Sequence, residues 1–205
     1  MLTNVRLCIF VIMEVGEKTT RKQQIEEKAT ELFRLKGYAA SSMRDLAMIL
    51  GIEAASLYSH IKSKEEILQK ICFRMADAFF QAIEEVEQSR PDQRLESAIK
   101  AHFKVISENL SASAVFFHEW RHLSEPYLSE FLELRSRYED IFVNIIREGV
   151  ELQLFRPVDE KFAMMTILSS INWTHQWFKM DGMMTEEEIG TKLSTLLING
   201  LSNPK

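Results

Sequence analysis

The stretch "DLAMILGIEAASLYSHI", Asp45–Ile61, decides how this chain is read. Ala47, Gly51 and Leu57 stand at the relative spacing of a helix-turn-helix. That arrangement needs a small residue where two helices approach and a glycine for the left-handed turn. It also needs an apolar residue to anchor the second helix. Leu46, Leu50, Ile52 and Ile61 complete a buried face. The same spacing fits a plain corner between two bundle helices, so the pattern leaves two readings open: a head that offers its second helix to a DNA groove, or a structural corner.

Outward from this pair, helix starts are marked by capping boxes, in which a Ser or Thr caps the helix and an acid or amide three residues on reaches back. Thr20-Arg-Lys-Gln23 opens a helix with apolar positions Ile25, Ala29, Leu32 and Phe33, stopped at Gly37. Ser42-Met-Arg-Asp45 opens the first helix of the pair, and the second spans about Ala54–His60. Ser63-Lys-Glu-Glu66 opens a long helix whose stripe runs Ile67, Ile71, Met75, Ala78, Phe79, Ala82, Val86. Further helices are expected at Pro91–Leu110, Ser113–Leu123, Pro126 to about Leu152, Asp159–Met180, and Thr185 to about Leu201. The expectation is an all-α chain of about nine helices without a strand, in keeping with only 7 Gly and 4 Pro. Residues 1–17 read as an N-terminal extension, 18–66 as the helix-turn-helix head, and 67–205 as a body for ligand binding and dimerisation.

The overall charge of −5 is unevenly spread. Residues 18–70 carry ten Lys and Arg against seven acids, whereas residues 71–205 carry fourteen against twenty-one. A basic head on an acidic body fits a polyanion meeting the head alone. Cys8 and Cys72 form no CxxC pair and no disulfide framework, which favours a reducing, cytoplasmic setting. No run reaches the roughly 20 apolar residues a membrane helix needs. Arg6 followed by Leu7–Met13 faintly resembles a signal peptide, but the run is short and lacks a small-residue cleavage site.

The run Lys36–Leu68 strongly resembles the TetR family of transcriptional regulators. The residues that carry the resemblance are Gly37-Tyr38, Ser42-Met-Arg-Asp-Leu-Ala47, Gly51-Ile52, Leu57-Tyr58 and Lys62-Ser-Lys-Glu65. The resemblance implies a homodimer on a pseudo-palindromic double-stranded DNA operator, one recognition helix in each of two successive major grooves. By this likeness Tyr38, Ser42, Tyr58 and Lys64 meet phosphates, and Arg44 reaches backbone or a base edge. Ala54, Ala55, Ser56, Ser59 and His60 form the exposed reading face. The pattern departs from the family at Glu53, where Ser is frequent, and at Ala54 and Ala55, where a basic residue and Gly are common. Alanines can touch thymine methyls but donate nothing. Base readout is therefore expected to be thin, with affinity resting on phosphates and falling steeply with salt.

In this family the body senses a ligand and the last two helices form the dimer interface, for which Ile167, Leu168, Ile171, Leu193, Leu196, Leu197 and Leu201 are candidates. Phe116, Trp120, Tyr138, Phe142, Trp173 and Trp177 are candidate pocket walls, with Arg121, His122, Arg135 and His175 to orient a ligand. The phrases "EWRHLSEPYLSEF" and "NWTHQWF…DG…EEI" are similar to a TetR subgroup that responds to acyl-CoA thioesters, whose phosphates Arg121, Arg135 and Arg137 would meet. The expected function is a transcriptional repressor released by a small hydrophobic effector, with no cofactor and no catalytic site. Two alternatives stand beside it. "HEWRH", His118–His122, matches H-E-x-x-H, which on one helix would set two zinc ligands beside Glu119 as base. An architectural DNA-binding protein without an effector is the other.

Overall fold

A computed structural model describes residues 20–86 and 89–203, so the expected extension at 1–17 lies outside the described residues. The described chain contains ten α-helices and no named strand. They are α1 Arg21–Lys36, α2 Met43–Leu50, α3 Ala54–Tyr58, α4 Lys64–Glu84 and α5 Pro91–Glu108. Then follow α6 Leu110–Glu119, α7 Tyr127–Glu151, α8 Glu160–Asn172, α9 Thr174–Trp177 and α10 Glu186–Asn199, with a 3₁₀ turn at Trp120–His122 after α6. None of these helices is long and apolar enough to cross a membrane.

The capping boxes expected at Thr20, Ser42 and Thr185 close with both arms. At Ser63 one arm closes: the hydroxyl accepts from Glu66 N, but the Glu66 carboxylate takes the Lys62 amide instead. Gly51 ends α2 at φ 64°, ψ 34°, and Ile52 N returns to Ala47 O at 3.0 Å. A side chain at this position would meet nothing within 4 Å, so the left-handed backbone alone asks for glycine. Leu57 is fully buried and, with Leu46, Ala47 and Ile61, ties the pair onto Ile25, Ala29 and Phe33 of α1.

In the body, α5 lies at the centre, packed on α4, α7, α8 and α10. The loop after α7 turns back tightly because Gly149 has no side chain: the Phe155 ring occupies the space a methyl group would fill. Arg156 N then bonds Leu201 O, tying this loop to the chain's end.

Two expectations are corrected. Asp159–Met180 is not one helix but α8 and α9, broken at Trp173, where the Thr174 hydroxyl bonds the Ile171 carbonyl at 2.6 Å. Ile167, Leu168, Ile171 and Leu201, expected at a dimer interface, are buried within the chain itself. The face of α8 turned outward carries Phe162 instead, and α10 exposes Leu196 at 73%.

Candidate functional site

The reading face is small. α3 has five residues, with Ala55, Ser56, Tyr58 and Ser59 exposed and Ala54 and His60 half-buried. A helix this short does not persist alone; it is held by Leu57 below and by the turn at Gly51. Glu53 is its N-cap and makes no side-chain capping bond, a consequence of a side chain poorly suited to that position. The Ser59 hydroxyl donates to Ser56 O at 2.7 Å, and Tyr58 is 53% exposed. Arg44, on α2, is exposed.

Three other residues expected at DNA are already engaged within the protein. The Ser42 hydroxyl accepts from Asp45 N and donates to the Asp45 carboxylate at 2.8 Å. Lys36, 3.0 Å away, and the hydroxyl and amide of Ser42 hold the Asp45 carboxyl down at about 2. The Lys64 ammonium donates to Tyr38 O at 2.7 Å and Ser41 O at 2.8 Å while lying 4.1 Å from the Tyr38 ring centroid. Tyr38 stacks on His122 of the body, with centroids 5.1 Å apart. Lys64 and Tyr38 are thus struts between the loop before α2, the start of α4 and the body, and each retains only part of its surface for a phosphate.

The body encloses a cavity of ≈ 350 Å³ between α4, α5, α6, α7 and α8. Phe116, Trp120, Arg121, Tyr138 and Trp173, all expected as ligand contacts, line it, and so do Arg135 and His175. Phe142 does not: it is fully buried and braces the His102 ring edge-on from behind the wall. Trp177 is absent from the lining because the break at Trp173 ends the one helix that would have kept Trp173 and Trp177 on a shared face. Arg137 lies over the Phe80 ring rather than at the cavity. At the mouth, Arg121 and Arg135 both lie over the Trp120 ring, at 5.0 and 5.8 Å, and Arg135 is paired with Glu139 at 2.8 Å.

Sequence reading missed the polar side of this cavity. His102, 3% exposed, stacks on Phe79 and bonds through its two ring nitrogens to Tyr138 Oη and Asn172 Oδ1, each at 2.8 Å. A carboxamide oxygen only accepts, so Nε2 carries the proton, Nδ1 accepts, and the Tyr138 hydroxyl donates to it. Burial lowers the His102 pKa to about 4, against the smaller upward pull of Asn172, and burial likewise raises that of Tyr138. A lone histidine in the apolar run "AIKAHFKVI" was the available signal, but its partners lie 36 and 70 residues away.

The H-E-x-x-H motif is also resolved by local geometry. α6 ends at Glu119 and a 3₁₀ turn follows, so His118 and His122 do not share a helical face. His118 turns toward His175, Nε2 to Nε2 at 3.0 Å, at the cavity. His175 Nδ1 donates to Asn172 O, which leaves its Nε2 as an acceptor, met by the Gln176 amide at 2.7 Å and faced by His118. Burial, together with the neighbouring imidazole, keeps the His175 pKa low despite that carbonyl. His122 points the other way, to Tyr38 and to the Glu119 carboxylate at 3.4 Å. Among the described residues no three His, Cys, Asp or Glu side chains converge as a metal cage. The zinc-hydrolase alternative lacks the geometry it requires.

One turn therefore serves two surfaces. His118, Trp120 and Arg121 line the cavity, whereas His122 meets Tyr38 and Ser124 N donates to Glu65 Oε1 at 2.9 Å.

Two family models fit the chain: "Bacterial regulatory proteins, tetR family" over residues 25–71 and "Tetracyclin repressor-like, C-terminal domain" over residues 88–201. The chain belongs to the TetR family. Among solved TetR structures it is similar to PfmR of Thermus thermophilus, 36% identical, with 88% of this chain and 100% of that one covered and a TM-score of 0.77. The "HTH-type transcriptional repressor KstR2" of Rhodococcus jostii is 26% identical over 195 residues, which cover 93% of this chain and 96% of that protein. AibR, solved with isovaleryl coenzyme A and operator DNA, shares the fold at a TM-score of 0.75 and 24% identity, with 91% of this chain and 100% of that one covered. As a TetR family member the protein is a DNA-binding transcriptional regulator, with a helix-turn-helix head on a helical body.

Proposed function

We propose that this TetR family regulator is a repressor that binds a pseudo-palindromic operator as a homodimer and releases it when an acyl-CoA thioester fills the body cavity. The observation that carries this reading is the turn at 118–124, which is wall to the cavity on one side and floor to the head on the other. An apolar chamber suits the acyl chain, and the two guanidinium groups stacked on Trp120 at the mouth suit the phosphates of the CoA portion. That AibR binds an acyl-CoA and operator DNA on the same fold adds support.

The dimer is assigned to α8 and α10, whose outward Phe162 and Leu196 would otherwise leave apolar surface in water. α4 connects ligand to DNA: Lys64 and Glu65 at its start touch the head–body junction, and Ala76, Phe79 and Phe80 line the cavity. The fifteen helical steps from Lys64 to Phe79 make a rigid lever of about 22 Å. An effector acts by binding the DNA-incompetent arrangement more tightly, and it can shift the equilibrium only by that difference. The architectural alternative would need no cavity beside this lever.

Operator selection from random duplexes, followed by anisotropy titration with acyl-CoAs of increasing chain length, tests the proposal. Saturating acyl-CoA is expected to weaken operator binding by roughly 5- to 150-fold, the usual span of allosteric coupling, with CoA alone far less effective. Operator binding indifferent to every acyl-CoA would sink the effector assignment, and binding without sequence preference would restore the architectural reading.

A further inference from the structure

The cavity is unusual for one that would hold a plain hydrocarbon chain. Its inner wall contains Tyr138, His102 and Asn172, bonded in a row. Burying such groups against phenylalanines costs free energy that an all-apolar wall would not. Donation from Tyr138 to His102, and from His102 to Asn172, also fixes what the two ends of the row can still do. The Tyr138 oxygen keeps a lone pair to accept a hydrogen bond. Asn172 keeps its amide N–H groups, for which the described residues supply no acceptor. An acceptor and a donor are thereby held at opposite ends of one imidazole, both at the wall of an otherwise aromatic chamber.

We propose that the apolar portion of the effector carries a neutral oxygen function, a ketone or a hydroxyl, recognised inside the cavity by the Asn172 amide and the Tyr138 hydroxyl. A ketone accepts from Asn172. A hydroxyl can accept from Asn172 or donate to Tyr138. A carboxylate is disfavoured at this depth, since the imidazole between the two groups is neutral and the guanidinium groups of Arg121 and Arg135 sit at the mouth. A saturated chain would enter but leave the Asn172 amide without its partner, which is the situation in which a site rejects a ligand lacking the matching group. This inference rests on the effector reading above and adds the substrate class that the same cavity selects.

The test uses the full-length protein and matched probes: C8 to C10 saturated acyl-CoAs, the same chains with a ketone or hydroxyl at each mid-chain carbon, and the corresponding free acids. Dissociation constants are read from tryptophan fluorescence, since Trp120 and Trp173 line the cavity. The best oxygenated acyl-CoA is expected to bind roughly ten- to a hundredfold more tightly than its saturated match. Tyr138→Phe and Asn172→Leu, checked for folding by circular dichroism, should shrink that preference to within about threefold. Equal or tighter binding of every saturated chain overturns the inference and leaves the acyl-CoA reading intact. A preference shown by the free acids alone supports the inference and overturns the CoA reading. A preference that survives both substitutions overturns the assignment to these residues, and failure of every probe to bind overturns both.

Discussion

In the head, polar groups sit at helix ends and on the surface, where each answers a local need: Thr20 and Ser42 cap helices, Lys36 pairs with Asp45, and Lys64 gathers two loop carbonyls. In the body the informative polar groups line a cavity and answer one another across the chain: buried His102 to Tyr138 and Asn172, and His118 to His175 at the cavity's more open side. The difference follows from the two tasks. A surface that meets a polyanion needs its backbone fixed and its side chains outward, whereas a chamber that selects a small molecule needs a few directed groups inside a dry wall.

Acid should separate the two regions most strongly. His102 is held at about 4, below its ordinary value near 6.5, so the folded body resists a proton that the unfolded chain accepts. Stability from this group is fully present above about pH 6.5 and is lost as pH falls toward 4, amounting to about 3 kcal/mol. His175, also lowered, adds in the same sense. Asp45 in the head, held at about 2, loses its contribution only below about pH 4. All three tryptophans lie in the body. Urea unfolding followed by tryptophan fluorescence should therefore show midpoints falling between pH 6.5 and 4 in the wild type and a flatter profile in His102→Phe. Equal slopes in the two proteins would remove His102 from the acid response.

The junction offers a smaller effect that sharpens the comparison. Glu65→Ala and His122→Ala remove the Ser124 bond and the Tyr38 stack without touching the cavity lining. Effector binding by the isolated protein should change little, while the coupling between effector and operator falls by about 1 kcal/mol. Measuring each ligand's affinity with and without the other gives that number directly, and an unchanged coupling would mean that α4 alone transmits the signal.

The smallest expected effect is at Glu53. Glu53→Ser supplies the cap that α3 lacks and removes a negative charge beside the reading face. Capping alone is worth roughly 0.5–1 kcal/mol, so operator binding should tighten several-fold and tolerate more sequences. Weaker binding to the selected operator would show instead that the glutamate accepts from a base, as a carboxylate can from a cytosine amino group.

How far each region could be read from sequence follows from the same contrast. Ala47, Gly51 and Leu57 announce the head because a turn and its two helices are set by residues within one short window. Three of the four expected capping boxes closed for that reason too. The fourth failed on competition: the Glu66 carboxylate found the Lys62 amide first. In the body, aromatic content marked six candidate walls, of which Phe116, Trp120, Tyr138 and Trp173 line the cavity. It could not separate Phe142, which braces the wall from behind, from Phe116, which forms it, since both are apolar residues on helices. The His102 row was illegible because its bonds span distances that periodicity does not encode. H-E-x-x-H misled because the motif assumes a continuing helix, and α6 stops at its second residue.

That stop has a practical consequence. Residues that would be varied to retune ligand choice, Trp120 and Arg121, are covalent neighbours of those that hold the head, so altered selectivity there would arrive together with altered switching strength. Anyone building a biosensor from this scaffold would do better to diversify Met164 and Leu168 of α8, which face the cavity from the far side of the body. Variants made there can change what is detected while the contacts that hold the head, at Tyr38, Glu65 and His122, stay in place.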